Sequence, residues 1–210
     1  MAKERKDKLT RIAVLVSGGG TNLQALIDAQ KAGIIKSGRI VLVVSNNPNA
    51  YALERAARAG IPSAIVTRKE CGGSREAFEE KLTASLEEAG IEMIVLAGFM
   101  SILSERFISR YRERIINVHP SLIPSFCGEG FYGLRVHEAA LGYGVKVTGA
   151  TVHFVNEIPD GGRIILQKAV AIRKGDTPEV LQRRVMEQAE WKILPRACEM
   201  VAASLKKQKR

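Results

Sequence analysis

Asn117 and His119 are the residues whose types and spacing most clearly suggest chemistry. They stand two positions apart at the end of a short apolar run, and alternate side chains of a β-strand point to the same face. Pro120 has no N–H for a sheet ladder and should end the strand, so both side chains would lie at a strand end, where α/β proteins bind ligands. The spacing predicts a catalytic pair. A histidine that only packs at a strand terminus is the alternative.

A glycine turn with the sequence SGGGTN, at residues 17–22, joins the first predicted strand to the first predicted helix. Backbone N–H groups and the helix dipole favour an anion at such a turn, and Thr21 and Asn22 can add side-chain donors. Leu23 replaces the third glycine of the dinucleotide fingerprint, and the lysine of a nucleoside-triphosphate loop is missing. The turn therefore favours a phosphomonoester. A turn that serves only the fold is the alternative.

Asp160 is a candidate third polar group, because a carboxylate near an imidazole raises the imidazole pKa. Its Pro-Asp-Gly-Gly context is also typical of an ordinary tight turn. His153 alternates with Val152 and Phe154 and is interpreted as a packed strand histidine. His137 opens a short helix without partners at metal-ligand spacing, so no metal site is expected.

The order of elements predicts an α/β protein with a Rossmann-like, mostly parallel twisted sheet flanked by helices. A short turn joins the last two strands, which should form an antiparallel pair in the C-terminal half. A helix capped by Asp176 or Thr177 should follow, with Pro178 in its first turn, and residues 125–133 should form a loop beside the site. The predicted strands are residues 11–17, 39–45, 63–66, 91–96, 115–119, 145–155 and 164–171, and the first three helices are residues 22–32, 52–59 and 74–89.

Composition indicates a single globular domain over residues 1–210, with frayed basic tails at 1–10 and 203–210. The net charge is +10, of which +3 lies in residues 1–11 and +4 in residues 206–210, so a nucleic-acid partner is not expected. No signal peptide or membrane span is evident, and the cytoplasm is the expected location. Cys71, Cys127 and Cys198 show no pairing pattern and should be reduced thiols.

Five segments together closely resemble the phosphoribosylglycinamide formyltransferases, a branch of the folate-dependent formyltransferase family. They are SGGGTN at 17–22, SREAF at 74–78, LAGFM at 96–100, NVHPSLIP at 117–124, and HFV at 153–155 with DGG at 160–162. The resemblance runs from residue 11 to about residue 202. It implies that the amine of glycinamide ribonucleotide takes the formyl group of 10-formyltetrahydrofolate, a consumed co-substrate, in purine biosynthesis without a metal. The protein would be a monomer or a homodimer.

The resemblance also implies roles for individual residues. Asn117 and protonated His119 would donate to the tetrahedral oxyanion, His119 would pass a proton to the departing folate nitrogen, and Asp160 would keep the imidazole charged. Main-chain groups at 155–158 would contact the pterin. The ribonucleotide would contact Gly20, Thr21, Asn22, Pro120 and Glu190, and the folate would contact Arg75, Met100, Ser101, Ile102, Leu103 and Asn117.

The chain departs from the family pattern at three places. Ser101 stands where Arg is common, Trp191 stands where His is common, and the loop at 125–133 is longer and contains Cys127. Two rival functions share some of these motifs. A formyltetrahydrofolate deformylase would pass the formyl group to water, although such proteins carry an N-terminal regulatory domain. A non-catalytic nucleotide-binding module would bind NAD and leave Asn117 and His119 without a purpose.

Overall fold

A computed structural model describes residues 9–208 and arranges them around one sheet of seven strands. The strand order is β3-β2-β1-β4-β5-β6-β7. The first five strands are parallel, whereas β6 runs antiparallel to β5 and β7 antiparallel to β6, which confirms the predicted fold class. The strands are β1 (Thr10–Val16), β2 (Gly38–Ser45), β3 (Ser63–Ile65), β4 (Met93–Leu96), β5 (Ile115–His119), β6 (Val147–Phe154) and β7 (Ile164–Ala171).

Helices cover both faces of the sheet, because its central strands are apolar on both sides. Along β1, Ile12, Val14 and Val16 enter one core with α1 and α7, while Ala13 and Leu15 enter a second core with α3 and α4. All five of these side chains are fully buried. The helices are α1 (Thr21–Lys31), α2 (Tyr51–Arg58), α3 (Arg75–Glu88), α4 (Glu105–Arg110), α5 (Leu134–Tyr143), α6 (Pro178–Val185) and α7 (Trp191–Gln208).

The strand order reverses between β1 and β4. The chain passes from β1 outward through β2 to β3, then returns to β4 on the other side of β1 and continues to β5. At such a switch point the loops that leave the carboxyl ends of the strands separate and leave a crevice. The glycine turn (residues 17–22) leaves β1 there, and the segment at residues 97–104 leaves β4 beside it.

The C-terminal helical region contains a π turn, Met186–Glu190, between α6 and α7. The α6 helix begins as predicted, with the Thr177 side chain accepting from the Val180 N–H and Pro178 in its first turn. The π turn inserts one residue into an otherwise continuous helical path. Glu190, the last residue of the π turn, is only 6% exposed.

Part of each expected tail belongs to a strand or a helix. Thr10 belongs to β1, and α7 continues through residues 203–208 to Gln208. Residues 1–8 and 209–210, which carry the rest of the predicted tails, lie outside the described residues. Between residues 9 and 208, no helix is both long enough and apolar enough to cross a membrane.

Candidate active site

Asn117 and His119 lie at the carboxyl end of β5 with their side chains on the same face. The antiparallel register places His153 of β6 opposite Asn117 and Thr151 opposite His119. Directly opposed residues of a sheet share a face, so the two histidines and Asn117 converge. A register shift between Val152 and His153 marks a bulge in the β6–β7 ladder, a feature that often redirects a side chain beside an active site.

Asp160 reaches these residues from the turn between β6 and β7. Its backbone is left-handed, with φ of 55°. The following glycines permit this tight path, since a Cβ on Gly162 would lie 1.7 Å from the carbonyl oxygen of Phe154. The turn therefore holds the Asp160 carboxylate against the end of β5.

We call Asn117, His119, His153 and Asp160 the polar centre. His119 Nδ1 lies 3.4 Å from Asp160 Oδ2, and His153 Nε2 lies 3.5 Å from Asp160 Oδ1. The Asn117 amide nitrogen lies 3.3 Å from His153 Nε2 and 3.5 Å from Asp160 Oδ1. The structure thus brings together all three residues predicted to be catalytic, around one carboxylate, and adds His153 to them.

His119 is 4% exposed, and burial lowers the pKa of its imidazole. The charge of Asp160 and the Phe126 carbonyl act in the opposite direction without reversing the shift. For Asp160, burial raises the pKa, but the contacts with His153, His119 and the Gly128 N–H outweigh it and lower the pKa overall. Asp160 is therefore ionised, and its charge favours a protonated His119 while burial of the imidazole opposes protonation. The expectation that Asp160 keeps His119 charged stays a prediction.

A covering segment, residues 121–130, closes the polar centre from outside. His119 Nε2 donates to the Phe126 carbonyl at 2.9 Å, and the Gly128 N–H donates to Asp160 Oδ2 at 2.9 Å. Phe126 is held with φ of 50° between the rings of Phe131 and Tyr143, at centroid distances of 6.4 and 6.0 Å. The main chain of this segment therefore occupies the outward nitrogen of His119.

The glycine turn leads into α1 without a side-chain cap. Ser74, Ser104 and Thr177 cap α3, α4 and α6, but Gly20 at the start of α1 is left-handed and offers no cap. A Cβ on Gly20 would lie 2.7 Å from the Ala52 Cβ, so the close packing of α2 requires glycine there. The first N–H groups of α1, like those of α2 and α5, thus have no side-chain cap, and such groups favour an anion.

Beside the glycine turn, Asn22 and Glu190 form a buried pair. Asn22 Nδ2 donates to Glu190 Oε2 at 2.6 Å, and Thr21 Oγ1 lies 3.8 Å from the Met186 sulfur. Burial raises the Glu190 pKa to about 7. Four of the five residues predicted to contact the ribonucleotide are thus neighbours near the end of β1: Gly20, Thr21, Asn22 and Glu190. The fifth, Pro120, follows His119 at the end of β5.

Arg55 of α2 supplies a positive charge next to the glycine turn. Its Nε donates to the Gly19 carbonyl at 2.8 Å and its Nη1 to Gln24 Oε1 at 3.2 Å. The guanidinium carbon lies 5.1 Å from the centroid of the Tyr51 ring. These contacts fix the charge in place, which favours an anion at the start of α1.

The segment predicted to contact folate leaves the carboxyl end of β4, next to the glycine turn. Met100 and Ile102 are 60% and 68% exposed and present apolar surface, whereas Leu103 is 6% exposed and packs in the core. Because its side chain is buried, Leu103 can line a ligand site only through its main chain. Ser101 accepts a hydrogen bond from Asn46 Nδ2 at 2.9 Å. The ligand assignments of these residues stay predictions.

Comparison with known proteins identifies the family. Residues 10–198 match the family model described as Formyl transferase. The chain belongs to the formyl transferase family.

Relatives of this formyl transferase include proteins of two lengths. The phosphoribosylglycinamide formyltransferase of Haemophilus influenzae is 42% identical over 89% of this chain and 84% of that protein. The trifunctional purine biosynthetic protein adenosine-3 of Homo sapiens is 45% identical over 93% of this chain but only 19% of that protein. The chain thus spans about a fifth of the length of the trifunctional relative.

The fold agrees with solved structures. The crystal structure of glycinamide ribonucleotide transformylase 1 from Symbiobacterium toebii matches with a TM-score of 0.87 and 40% identity, over 97% of this chain and 92% of that chain. The phosphoribosylglycinamide formyltransferase from Brucella melitensis matches with a TM-score of 0.85 and 42% identity, over 93% and 97% of the two chains.

Residues 9–208 contain no group of three or more His, Cys, Asp or Glu side chains arranged to hold a metal ion. Cys71, Cys127 and Cys198 are free thiols. Both ring nitrogens of His137 are buried without a hydrogen-bond partner, and burial lowers its pKa to about 4.

Sequence reasoning missed three features of this formyl transferase site. His153 was interpreted as a packed histidine, and it is buried, but its Nε2 also faces Asn117 and Asp160. Arg55 carries no local signal, because it is one charged residue among several on α2. The hydrogen bond from His119 to the Phe126 carbonyl has no sequence signal, because it depends on the path of the covering segment. The single available signal was the HFV motif at 153–155, which accompanied the catalytic motifs in the resemblance.

Proposed function

We propose that this formyl transferase moves the formyl group of 10-formyltetrahydrofolate to the amine of N1-(5-phospho-D-ribosyl)glycinamide. The products are formylglycinamide ribonucleotide and tetrahydrofolate, in de novo purine biosynthesis. Family membership implies a folate-derived formyl donor. The observation that carries the specific acceptor is the uncapped glycine turn, which lies at the same edge of the sheet as the polar centre. A phosphate on α1 would extend the rest of the ribonucleotide toward β5.

Formyl transfer places a negative charge on the formyl oxygen. As the amine nitrogen bonds to the formyl carbon, the C=O electron pair moves to oxygen, and hydrogen bonds from Asn117 and His119 stabilise it. Collapse breaks the bond from carbon to the folate nitrogen, which keeps the electron pair and takes a proton through His119. The neutral amine carries a positive charge on its nitrogen once the new bond has formed, and that nitrogen loses one proton, which equals the proton that the folate nitrogen gains. Asp160 stabilises the imidazolium while it exists.

The covering segment has to move before this reaction. In the structure the Nε2 hydrogen of His119 is given to the Phe126 carbonyl at 2.9 Å. An N–H that donates to a carbonyl of the segment is not available to an oxyanion. The closed arrangement therefore represents the enzyme before the formyl donor is bound, and donor binding displaces the Phe126 carbonyl.

The same polar centre suits a deformylase, in which water accepts the formyl group. The relatives described above are transferases by name, which favours the amine as acceptor. The other rival, a nucleotide-binding module, uses neither Asn117 nor His119. We further propose that the protein works on small molecules in the cytoplasm, as a monomer or a homodimer, without a nucleic-acid partner.

One assay tests the acceptor. The protein is mixed with 10-formyl-5,8-dideazafolate, and deformylation is followed by absorbance with and without glycinamide ribonucleotide. We expect turnover to require the ribonucleotide and to yield formylglycinamide ribonucleotide. Equal turnover without the ribonucleotide would establish the deformylase instead, and NAD binding in a thermal-shift screen without any turnover would favour the binding module.

A further inference from the structure

Glu79 is a buried acidic residue to which the reaction above gives no role. It lies on α3, one turn after Arg75, and is 8% exposed. Glutamate is seldom so buried unless its charge is paired. Its carboxylate also borders a groove of about 360 Å³ between α3 and α4, on the side of the molecule where the segment at 97–104 ends.

Three donors meet on this carboxylate. Glu79 Oε1 accepts from the Ser104 N–H at 2.6 Å and from Arg75 Nε at 3.4 Å, and Glu79 Oε2 accepts from the Ser104 hydroxyl. Ser104 in turn caps α4 by accepting from the Phe107 N–H at 3.2 Å. One carboxylate thus joins the beginning of α3 to the end of the segment at 97–104.

The same segment is fixed at two earlier points. The Met100 N–H donates to Ser17 Oγ at 2.8 Å, and Ser101 Oγ accepts from Asn46 Nδ2 at 2.9 Å. With Ser104 bound to Glu79, the segment is held at both ends. Met100 and Ile102 remain exposed between these points.

Arg75 is held at one edge of its guanidinium only. Its side chain is 41% exposed and paired through Nε with Glu79. Within residues 9–208, its two terminal nitrogens have no hydrogen-bond partner. A guanidinium fixed through Nε presents those two nitrogens together, which is the arrangement that binds a carboxylate in bidentate fashion.

We propose that Glu79 is a positioning residue for the formyl donor. It fixes the Arg75 guanidinium beside the segment at 97–104, so that the anionic tail of the donor meets the terminal nitrogens of Arg75. This inference rests on the proposed function. Glu79 touches no reacting atom and acts through Arg75.

The test is the substitution Glu79→Gln, which keeps the size of the side chain and an acceptor for the Ser104 N–H. Its matched control is Glu80→Gln, since Glu80 is the next residue on α3 and pairs with Arg106 at 3.9 Å on the exposed surface. Steady-state rates are measured at saturating ribonucleotide with 10-formyl-5,8-dideazafolate and with the corresponding pteroate, which lacks the glutamate tail.

We expect Glu79→Gln to raise the donor KM about fivefold, the scale of one weakened charged hydrogen bond, with kcat within about twofold of wild type. The pteroate KM and both KM values of Glu80→Gln should stay at the wild-type level. In addition, the double variant with Arg75→Ala and Glu79→Gln should bind the donor no more weakly than the single variant Arg75→Ala, because Glu79 acts through Arg75. Additive effects, an equal rise for the pteroate, or an unchanged donor KM would overturn the proposal.

A binding measurement separates this proposal from the proposed reaction. The dissociation constant of unformylated 5,8-dideazafolate is measured by fluorescence titration for wild type and both glutamine variants, which requires no turnover. Weaker binding only in Glu79→Gln supports the positioning role, and equal binding in all three proteins overturns it. Absence of ribonucleotide-dependent turnover in the wild type would instead contradict the reaction.

Discussion

The glycine turn and the polar centre lie at the same edge of the sheet but are built differently. At the glycine turn the groups that would face the proposed phosphate are backbone N–H groups, positioned by Gly20 and its close packing against Ala52. At the polar centre three side chains surround the Asp160 carboxylate, and the covering segment closes the group. In the proposed function, one region would recognise its ligand by backbone geometry, and the other would react through polar side chains.

This difference predicts different responses to substitution. Removing a polar-centre side chain removes a donor or a charge from the reacting atoms, so kcat should fall while binding persists. Altering the glycine turn changes how closely an anion approaches, so the KM of one substrate should rise. Each of the following experiments would break or sharpen this contrast.

The largest effect is expected from Asn117→Ala and His119→Ala. Each variant loses one donor to the oxyanion, and kcat should fall by roughly two to three orders of magnitude with nearly unchanged KM values. The control is Thr148→Val, since the Thr148 hydroxyl lies buried in the same sheet without a hydrogen-bond partner. A loss below tenfold in a normally folded His119→Ala protein would remove His119 from the chemistry.

Asp160→Asn should lower kcat by about two orders of magnitude, because an amide cannot stabilise the imidazolium of His119 as a carboxylate does. The negative charge of Asp160 raises the His119 pKa, so its loss should move the limb of the pH profile that reports His119 protonation to lower pH. The measurement is kcat from pH 5 to 9.

Asp176→Asn is the control for that experiment. Asp176 is also ionised, with a pKa lowered to about 2 by its hydrogen bond from Arg184, but it lies outside the polar centre. Asp176→Asn should change the free energy of unfolding but should not shift the pH profile of kcat. An unaltered profile in Asp160→Asn would reduce Asp160 to a turn residue.

Glu190→Gln should change how stability depends on pH. The Glu190 pKa is raised from 4.5 to about 7 on folding, so its stabilising contribution is complete below pH 4.5 and is lost as the pH rises through 7. The wild type should therefore lose about 3 kcal/mol of unfolding free energy relative to Glu190→Gln across this range. Denaturant unfolding at pH 5, 6, 7 and 8 measures the difference.

Glu187→Gln serves as the control for Glu190→Gln. Glu187 lies in the same π turn but is exposed and pairs with Arg183 at 2.8 Å. Its stability curve should stay parallel to that of the wild type. Parallel curves for Glu190→Gln would mean that Glu190 is ionised in the folded protein throughout.

The smallest expected effect comes from Gly20→Ala compared with Gly33→Ala. Both glycines have φ near 70°, but only at Gly20 would the new Cβ approach another residue, Ala52, within 3 Å. Gly20→Ala should raise the ribonucleotide KM about tenfold and leave the donor KM unchanged. Equal rises in the KM values of both substrates, or the same rise in ribonucleotide KM from Gly33→Ala, would mean that the turn serves only the fold.

Much of the fold could be predicted from sequence because local patterns and tertiary structure agree. Strands such as β1 and β2 are continuous apolar runs, as strands covered on both faces must be. The pair β6 and β7 follows from a connection too short to cross over. The order of α7 through Gln208 was missed, because a run of lysines after Leu205 has the composition of a solvated tail.

The site was less predictable, because its details depend on contacts between distant parts of the chain. Asn117 and His119 could be paired by strand periodicity alone. The lowered pKa of His119 could not, since it results from burial of the imidazole in the folded protein. Likewise, Glu79 looks like any surface residue of α3 until Ser104 of another loop is placed against it.

The π turn determines the rotational phase of the C-terminal helix. The residues before it bury Leu181 and Val185, and those after it bury Leu194, Ala197 and Cys198. An ordinary α-helix turns 100° per residue, so deleting one residue between 186 and 190 would rotate every later side chain by that angle relative to α6. The apolar face of α7 could then no longer pack in the core while Glu190 pairs with Asn22. In this helix the spacing of residues is itself a functional property, because a change of length would alter the site without changing any residue in it.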